Sequence, residues 1–251
     1  MHNKPIALII LDGFGISHHQ AGNAVALAHM PYFKHWLATM PHATLAASGT
    51  AVGLPDGVVG NSEVGHYTIG AGRIVEQPTT MIDRRIADGS FYTNPVLSDA
   101  CKKTIQTQKQ FHIIGLLSDA QIHGSQAHIV ASVKAAHEQG IKTTYIQALL
   151  DGQDSAPYTA QDRLSKLAHD VGPYGGTIVT IQGRFYALDG NKNYERTLQA
   201  YRLFTDHAVS ITQNWQAQLY PSNSTENFCE PMRIQHAGYI EAGDAVLFTS
   251  C

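Results

Sequence analysis

The chain is poor in the features that would place it in several large classes. It has only three cysteines in 251 residues, Cys101, Cys229 and Cys251. They share no metal-type spacing and leave one unpaired, which points to reduced thiols in the cytoplasm rather than a disulfide framework. Excess charge is equally scarce. Lys and Arg number 17 against 20 Asp and Glu, a net −3. That balance supplies no basic field for nucleic acid and no polybasic signal for an anionic membrane. Long apolar runs are missing as well. The first, residues 6–11, is too short for a signal-peptide core and Asp12 interrupts it. Nothing approaches the ~18 apolar residues of a membrane span. Internal repeats and low-complexity tracts are absent too. A soluble cytoplasmic protein of one large domain or two modest ones is expected, at ~100–200 residues per domain.

What is present is an apolar fraction of 43%, enough for a core, arranged as short β-rich runs alternating with helix-period segments. The pattern predicts strands over 6–11, 43–47, 111–117, 143–150, 177–181 and 245–248. Helices are predicted over 31–39, 95–108, 126–139, 160–171 and 194–205. Two of these open with proline at the first turn, and Gly140 stops a third. Near-continuous apolar strands separated by helices imply parallel strands buried on both faces, an α/β fold. A boundary is expected near residues 72–80, where a glycine-rich, loop-rich start gives way to regular strand–helix units.

Polar residues fall where predicted strands stop. Asp12 follows the first, Ser118 and Asp119 the third, Asp151 the fourth, and Arg184 closely follows the fifth. Ligands of open α/β sheets bind at the carboxyl ends of strands. The competing reading, most relevant to Asp119, is that such acids cap the next helix.

Asp12 and Ser62 carry the sharpest signal. Ser62 sits in Gly60-Asn61-Ser62-Glu63-Val64-Gly65-His66 and opens a predicted short helix over 63–69. A serine there faces free amide N–H groups and the positive end of the helix dipole, which suits a phosphate. Serine is a poor nucleophile at neutral pH and needs a base or a cation. No histidine–aspartate relay is legible beside it, and Asp12 is a hard oxygen ligand suited to Mn²⁺ or Mg²⁺. The pair suggests a metal-activated serine that takes up a phosphoryl group. Taken singly, Asp12 also fits an Asp-Gly turn and Ser62 a plain helix N-cap. The glycine-punctuated loop 48–57 leading to Ser62 weakens the second of these, because loops this long are usually functional.

These residues resemble the cofactor-independent phosphoglycerate mutases, members of the alkaline phosphatase superfamily. The resembling segments include Leu11-Asp12-Gly13-Phe14-Gly15, Val52-Gly53-Leu54-Pro55-Asp56-Gly57, the stretch around Ser62 and Ile69-Gly70-Ala71-Gly72-Arg73. Further along come Gly115-Leu116-Leu117-Ser118-Asp119 with His123, Leu150-Asp151-Gly152 with Asp154, and the run from Gly183-Arg184 to Asp189. They follow family order across essentially the whole chain. The resemblance implies a two-domain enzyme of glycolysis that interconverts 3-phosphoglycerate and 2-phosphoglycerate through a phosphoserine at Ser62. It implies two Mn²⁺ ions, with Asp12 and Ser62 among their ligands, and a substrate grip that includes His123, Asp154 and Arg184. Residues 1–76 would begin a phosphatase-type α/β domain, here incomplete. Residues 77–251 would form most of a transferase-type α/β domain with a mostly parallel sheet.

The chain departs from the family at three places. Gln153 stands where the family has arginine in Asp-Gly-Arg-Asp, and a second family arginine falls at Gly190. Losing two charge-assisted phosphate donors should cost several kcal/mol of affinity. The family is also considerably longer, and its remaining metal-binding Asp and His residues would lie beyond Cys251. Mn²⁺ takes about six ligands, more than Asp12 and Ser62 supply. His18, His19 and His66 are read as solvent or turn histidines rather than substitutes. The expectation is therefore a front half, weakly active or inactive alone, that needs a second polypeptide to complete it. The alternatives are an inactive remnant that binds phosphoglycerate weakly, or a metal-dependent phosphatase.

Overall fold

A computed structural model describes residues 5–17 and 19–249. His18 and Cys251, read above from sequence, lie outside these residues. The chain divides into two compact units, Met1–Gln77 and Pro78–Cys251.

The first unit is built from helices and loops. Its helices are α1 (Ala24–Leu27), α2 (Pro31–Thr39) and α3 (Ser62–Ala71). Asn23 caps α1 by accepting from the amide of Ala26, and Pro31 opens α2. A small apolar cluster of Val52, Leu54 and Val64, with Val58 packed against it, anchors the loop to α3. Gly53 makes this loop possible. Its φ is 81°, and a Cβ there would overlap the Val75 carbonyl. Its own carbonyl accepts from the Gln77 amide at 2.9 Å.

Two predicted strands of this unit are corrected. Residues 6–11 and 43–47 belong to no paired strand among the described residues. Their β-branched and apolar composition gives strand propensity, but a strand exists only when a neighbour takes its backbone donors and acceptors. The side chains are correspondingly uncovered: Ile6 is 97% exposed and Leu45 91%.

The second unit is α/β. Helices α4 (Pro78–Ala87) and α5 (Pro95–Thr107) precede strand β1 (Phe111–Leu117). Then come α6 (Gln126–Glu138), β2 (Thr144–Leu150), α7 (Ala160–Val171) and β3 (Gly176–Gly183). The short α8 (Arg184–Ala187), α9 (Tyr194–Thr205), β4 (Met232–Arg233) and β5 (Ala245–Phe248) complete it. The sheet order is β4-β3-β2-β1-β5. All neighbours are parallel except β4, which runs antiparallel to β3. Every residue of β1 is buried, as expected of a parallel strand covered on both faces. The main core gathers Phe111, Ile113, Ile146, Leu150, Leu167 and Ile181 with the buried faces of α6 and α7. Strands β1, β2 and β3 lie side by side and end at Leu117, Leu150 and Gly183, so Ser118, Asp151 and Arg184 emerge at one sheet edge. No helix among the described residues is long and apolar enough to cross a membrane.

Candidate functional site

In the first unit, the α3 N-terminus sets the geometry. Asn61, not Ser62, is the N-cap: its side-chain oxygen accepts from the Val64 amide at 3.0 Å. Ser62 is thereby moved to the first helical position, with its hydroxyl released from capping. That hydroxyl donates to Asp12 Oδ2 at 2.6 Å, across 50 residues of sequence. His66, one turn along α3, places Nδ1 2.7 Å from the Ser62 carbonyl oxygen and 3.2 Å from Ser62 Oγ. His66 is thus a neighbour of the serine while remaining exposed, as a solvent histidine would be, and among the described residues it joins no group arranged to hold a metal ion. Asp12, Ser62, Glu63, His66 and Tyr67 line an open concavity of about 860 Å³. Replacing Asn61 by Ala should cost about 1 kcal/mol of local helix stability. Amide exchange at Val64 should accelerate in this variant and stay slow in Asn61→Asp.

Asp12 and Ser62 offer two hard oxygens with a shared proton between them. Among the described residues no group of three or more His, Cys, Asp or Glu is arranged to hold a metal ion. The pair therefore fits as two ligands of a cation site and does not make one alone.

In the second unit, Asp151 organises the sheet edge. It is buried and accepts from Ser118 Oγ at 2.6 Å, from the amides of Gln153, Asp154 and Ser155, and from Arg184 Nη1 at 2.9 Å. Burial alone would raise its pKa. The bonds from Ser118, the Asp154 amide and Arg184 outweigh that and hold it at about 2. Arg184 Nη1 also reaches Asp154 Oδ2 at 2.6 Å. Burial pulls the guanidinium pKa down, and the two carboxylates push it above its ordinary value. His123 Nε2 stands 4.0 Å from Asp154 Oδ2. The structure thus brings His123, Asp154 and Arg184 together. Asp119 turns instead to Arg163 at 2.7 Å, with its side chain mostly exposed.

The turn at residues 226–229 fastens this edge. The buried carboxylate of Glu226 accepts from the amides of Tyr158 and Thr159 at 2.7 and 3.0 Å. The Cys229 carbonyl accepts from Gly183 N at 2.8 Å. A Cβ on Gly183 would overlap the Asn227 carbonyl, so only glycine lets this turn seat beside Arg184.

An α/β unit whose charged groups converge where adjacent parallel strands end has the architecture of a polar-ligand-binding α/β protein. The family described as BPG-independent PGAM N-terminus matches residues 82–250, and the chain belongs to that family. The 2,3-bisphosphoglycerate-independent phosphoglycerate mutase of Pseudomonas putida (strain GB-1) is 42% identical over 250 residues, covering 98% of this chain and 49% of its own. The mutase of the same name from Saccharophagus degradans is 42% identical over 254 residues, with the same coverage. A solved structure, Leishmania mexicana phosphoglycerate mutase at low cobalt concentration, superposes with a TM-score of 0.79 at 27% identity. It covers 96% of this chain and 47% of its own. The chain spans about half the length of the curated relatives it matches.

Proposed function

We propose that this chain carries the phosphoserine-forming part of a cofactor-independent phosphoglycerate mutase, acting in glycolysis in the cytoplasm. Residues 1–76 are its phosphatase-type portion and residues 77–251 its transferase-type portion. The observation that carries this reading is the 2.6 Å bond between Ser62 Oγ and Asp12 Oδ2 at the first turn of α3. There the free amides and the helix dipole favour an incoming phosphoryl group. A divalent cation held by Asp12 and Ser62, Mn²⁺ in this proposal, lowers the hydroxyl pKa when bound. The two oxygens can exchange their shared proton for it. Its other ligands come from outside the described residues, from a second polypeptide or the remainder of a longer chain.

Ser62 accepts the phosphoryl group of 3-phosphoglycerate and returns it to the neighbouring hydroxyl, giving 2-phosphoglycerate. His123, Asp154 and Arg184 hold the glycerate. Arg184 suits this task because Asp151 and Asp154 engage Nη1, which fixes the plane of the guanidinium fork before ligand arrives. Incubation with 3-phosphoglycerate and Mn²⁺ followed by peptide mass spectrometry tests the reading: phosphate is expected on Ser62. In a coupled enolase assay the purified chain should turn over weakly or not at all, and robust conversion would overturn its dependence on further ligands.

The second reading is a binding remnant without turnover, favoured by Gln153 and Gly190 in place of arginines. Under both readings, calorimetric titration with 3-phosphoglycerate should show heat that Arg184→Ala removes. Loss of one charged hydrogen bond weakens affinity about 10- to 100-fold. A chain that gives no heat at all is neither.

A further inference from the structure

We infer that His66 is a catalytic residue of the same serine, donating a hydrogen bond from Nδ1 to Ser62 Oγ as that oxygen becomes anionic; this rests on the phosphoserine reading above. The Ser62 carbonyl oxygen can only accept, and His66 Nδ1 lies 2.7 Å from it, so Nδ1 carries the proton and Nε2 is bare in the neutral ring. The spacing of four residues along α3 produces this contact, since positions i and i+4 share a helix face. Ser62 Oγ spends its single proton on Asp12. Toward His66, at 3.2 Å, it therefore presents a lone pair, and the Nδ1 proton is shared between the carbonyl and the hydroxyl oxygen.

A serine flanked in this way has an acceptor on one side and a donor on the other. As phosphoryl transfer proceeds, the Oγ–P bond forms while the P–O bond of the donor breaks. The hydroxyl proton, displaced from between Oγ and Asp12 where a cation would be held, passes to solvent, and the departing donor oxygen takes a proton from solvent in its place. Negative charge on Oγ draws the Nδ1–H away from the carbonyl toward itself, so the bond strengthens as the charge grows. It strengthens again when the phosphoryl group leaves Ser62 and uncovers the alkoxide. Interactions that tighten with developing charge accelerate the step, whereas equal binding throughout does not. This role differs from a general base: the ring gives a hydrogen bond to the serine and takes no proton from it.

Two measurements test this. Long-range ¹H–¹⁵N spectra of the metal-free chain should show His66 protonated at Nδ1, with a resonance that moves in Ser62→Ala. A ring protonated at Nε2, or an Nδ1 signal unmoved by Ser62→Ala, would overturn the inference whatever the chain's activity. The rate of Ser62 phosphorylation by 3-phosphoglycerate with Mn²⁺ should fall about 10-fold in His66→Ala. That is less than the 10²–10³-fold cost seen for enclosed oxyanion donors, because this site is exposed. His66→Asn, which keeps a donor at the same helical position, should recover most of the rate. Equal rates in wild type and His66→Ala overturn the His66 role alone. Wild-type protein that never acquires phosphate at Ser62 overturns the phosphoserine reading with it, even where the spectra show the expected tautomer.

Discussion

Ser62→Ala should abolish phosphoryl uptake from 3-phosphoglycerate, a fall on the order of 10³-fold or more, as for other nucleophile deletions. Phosphopeptide yield with Mn²⁺ measures it. In the proposed mechanism, removing Oγ deletes both the atom that bonds phosphorus and the proton it shares with Asp12. Among the described residues lining the concavity, Asp12 itself, Glu63, His66 and Tyr67 offer another nucleophilic atom. A phosphohistidine would betray itself by acid lability. Acid-stable phosphate that persists in Ser62→Ala at the wild-type rate would remove the serine from the mechanism. The fold should be indifferent, because the hydroxyl is exposed and Asn61 supplies the cap.

Asp151→Asn is expected to have the largest effect on stability. The carboxylate is buried, takes a hydroxyl, three amides and a guanidinium, and keeps Arg184 neutralised. Breaking a buried charge pair on one side costs about 3–5 kcal/mol. Chemical denaturation at neutral pH should show this as a lowered midpoint. The pH dependence follows from the carboxyl's own titration. Its pKa is about 2 in the fold against an ordinary 3.8, so the folded state prefers it ionised. The associated stability, about 2 kcal/mol, is full above pH ~4 and is lost as pH falls toward 2. The gap between wild type and Asp151→Asn should therefore narrow across that interval. A gap that stays constant down to pH 2 would mean that the carboxylate's charge contributes nothing.

Much of the second unit is legible in the sequence because β1, β2 and most of β3 are buried on both faces and read as near-continuous apolar runs. Strand β5 is an apolar run too, although Val246 and Phe248 are exposed. The segments 111–117 and 245–248 form strands with those bounds, and the other two shift by one or two residues. Strand β4 is invisible, since two residues carry no periodicity. The first unit misleads for the opposite reason: residues 6–11 and 43–47 have strand composition, but pairing is a property of neighbours. Asp12 and Ser62 are marked by their glycine-rich surroundings. The four-residue spacing from Ser62 to His66 was available as a signal and stands out once the helix is known to begin at Ser62. Glu226 carries no local signal. It lies 67 residues from Thr159 and meets it only because the chain, after α8 and α9, returns to place residues 226–229 beside the end of β3.

The placement of Gln153 and Gly190 has an evolutionary consequence. Gln153 is exposed, and so is Gly190, where an added Cβ meets no atom within 4 Å. Neither belongs to the apolar interior beneath the sheet. Arginine at either position can be lost or regained by substitution without repacking, so selection on folding is blind to both. Drift in ligand chemistry can run ahead of any change in architecture, and a lineage carrying this scaffold can exchange anion affinity for another specificity while the scaffold persists.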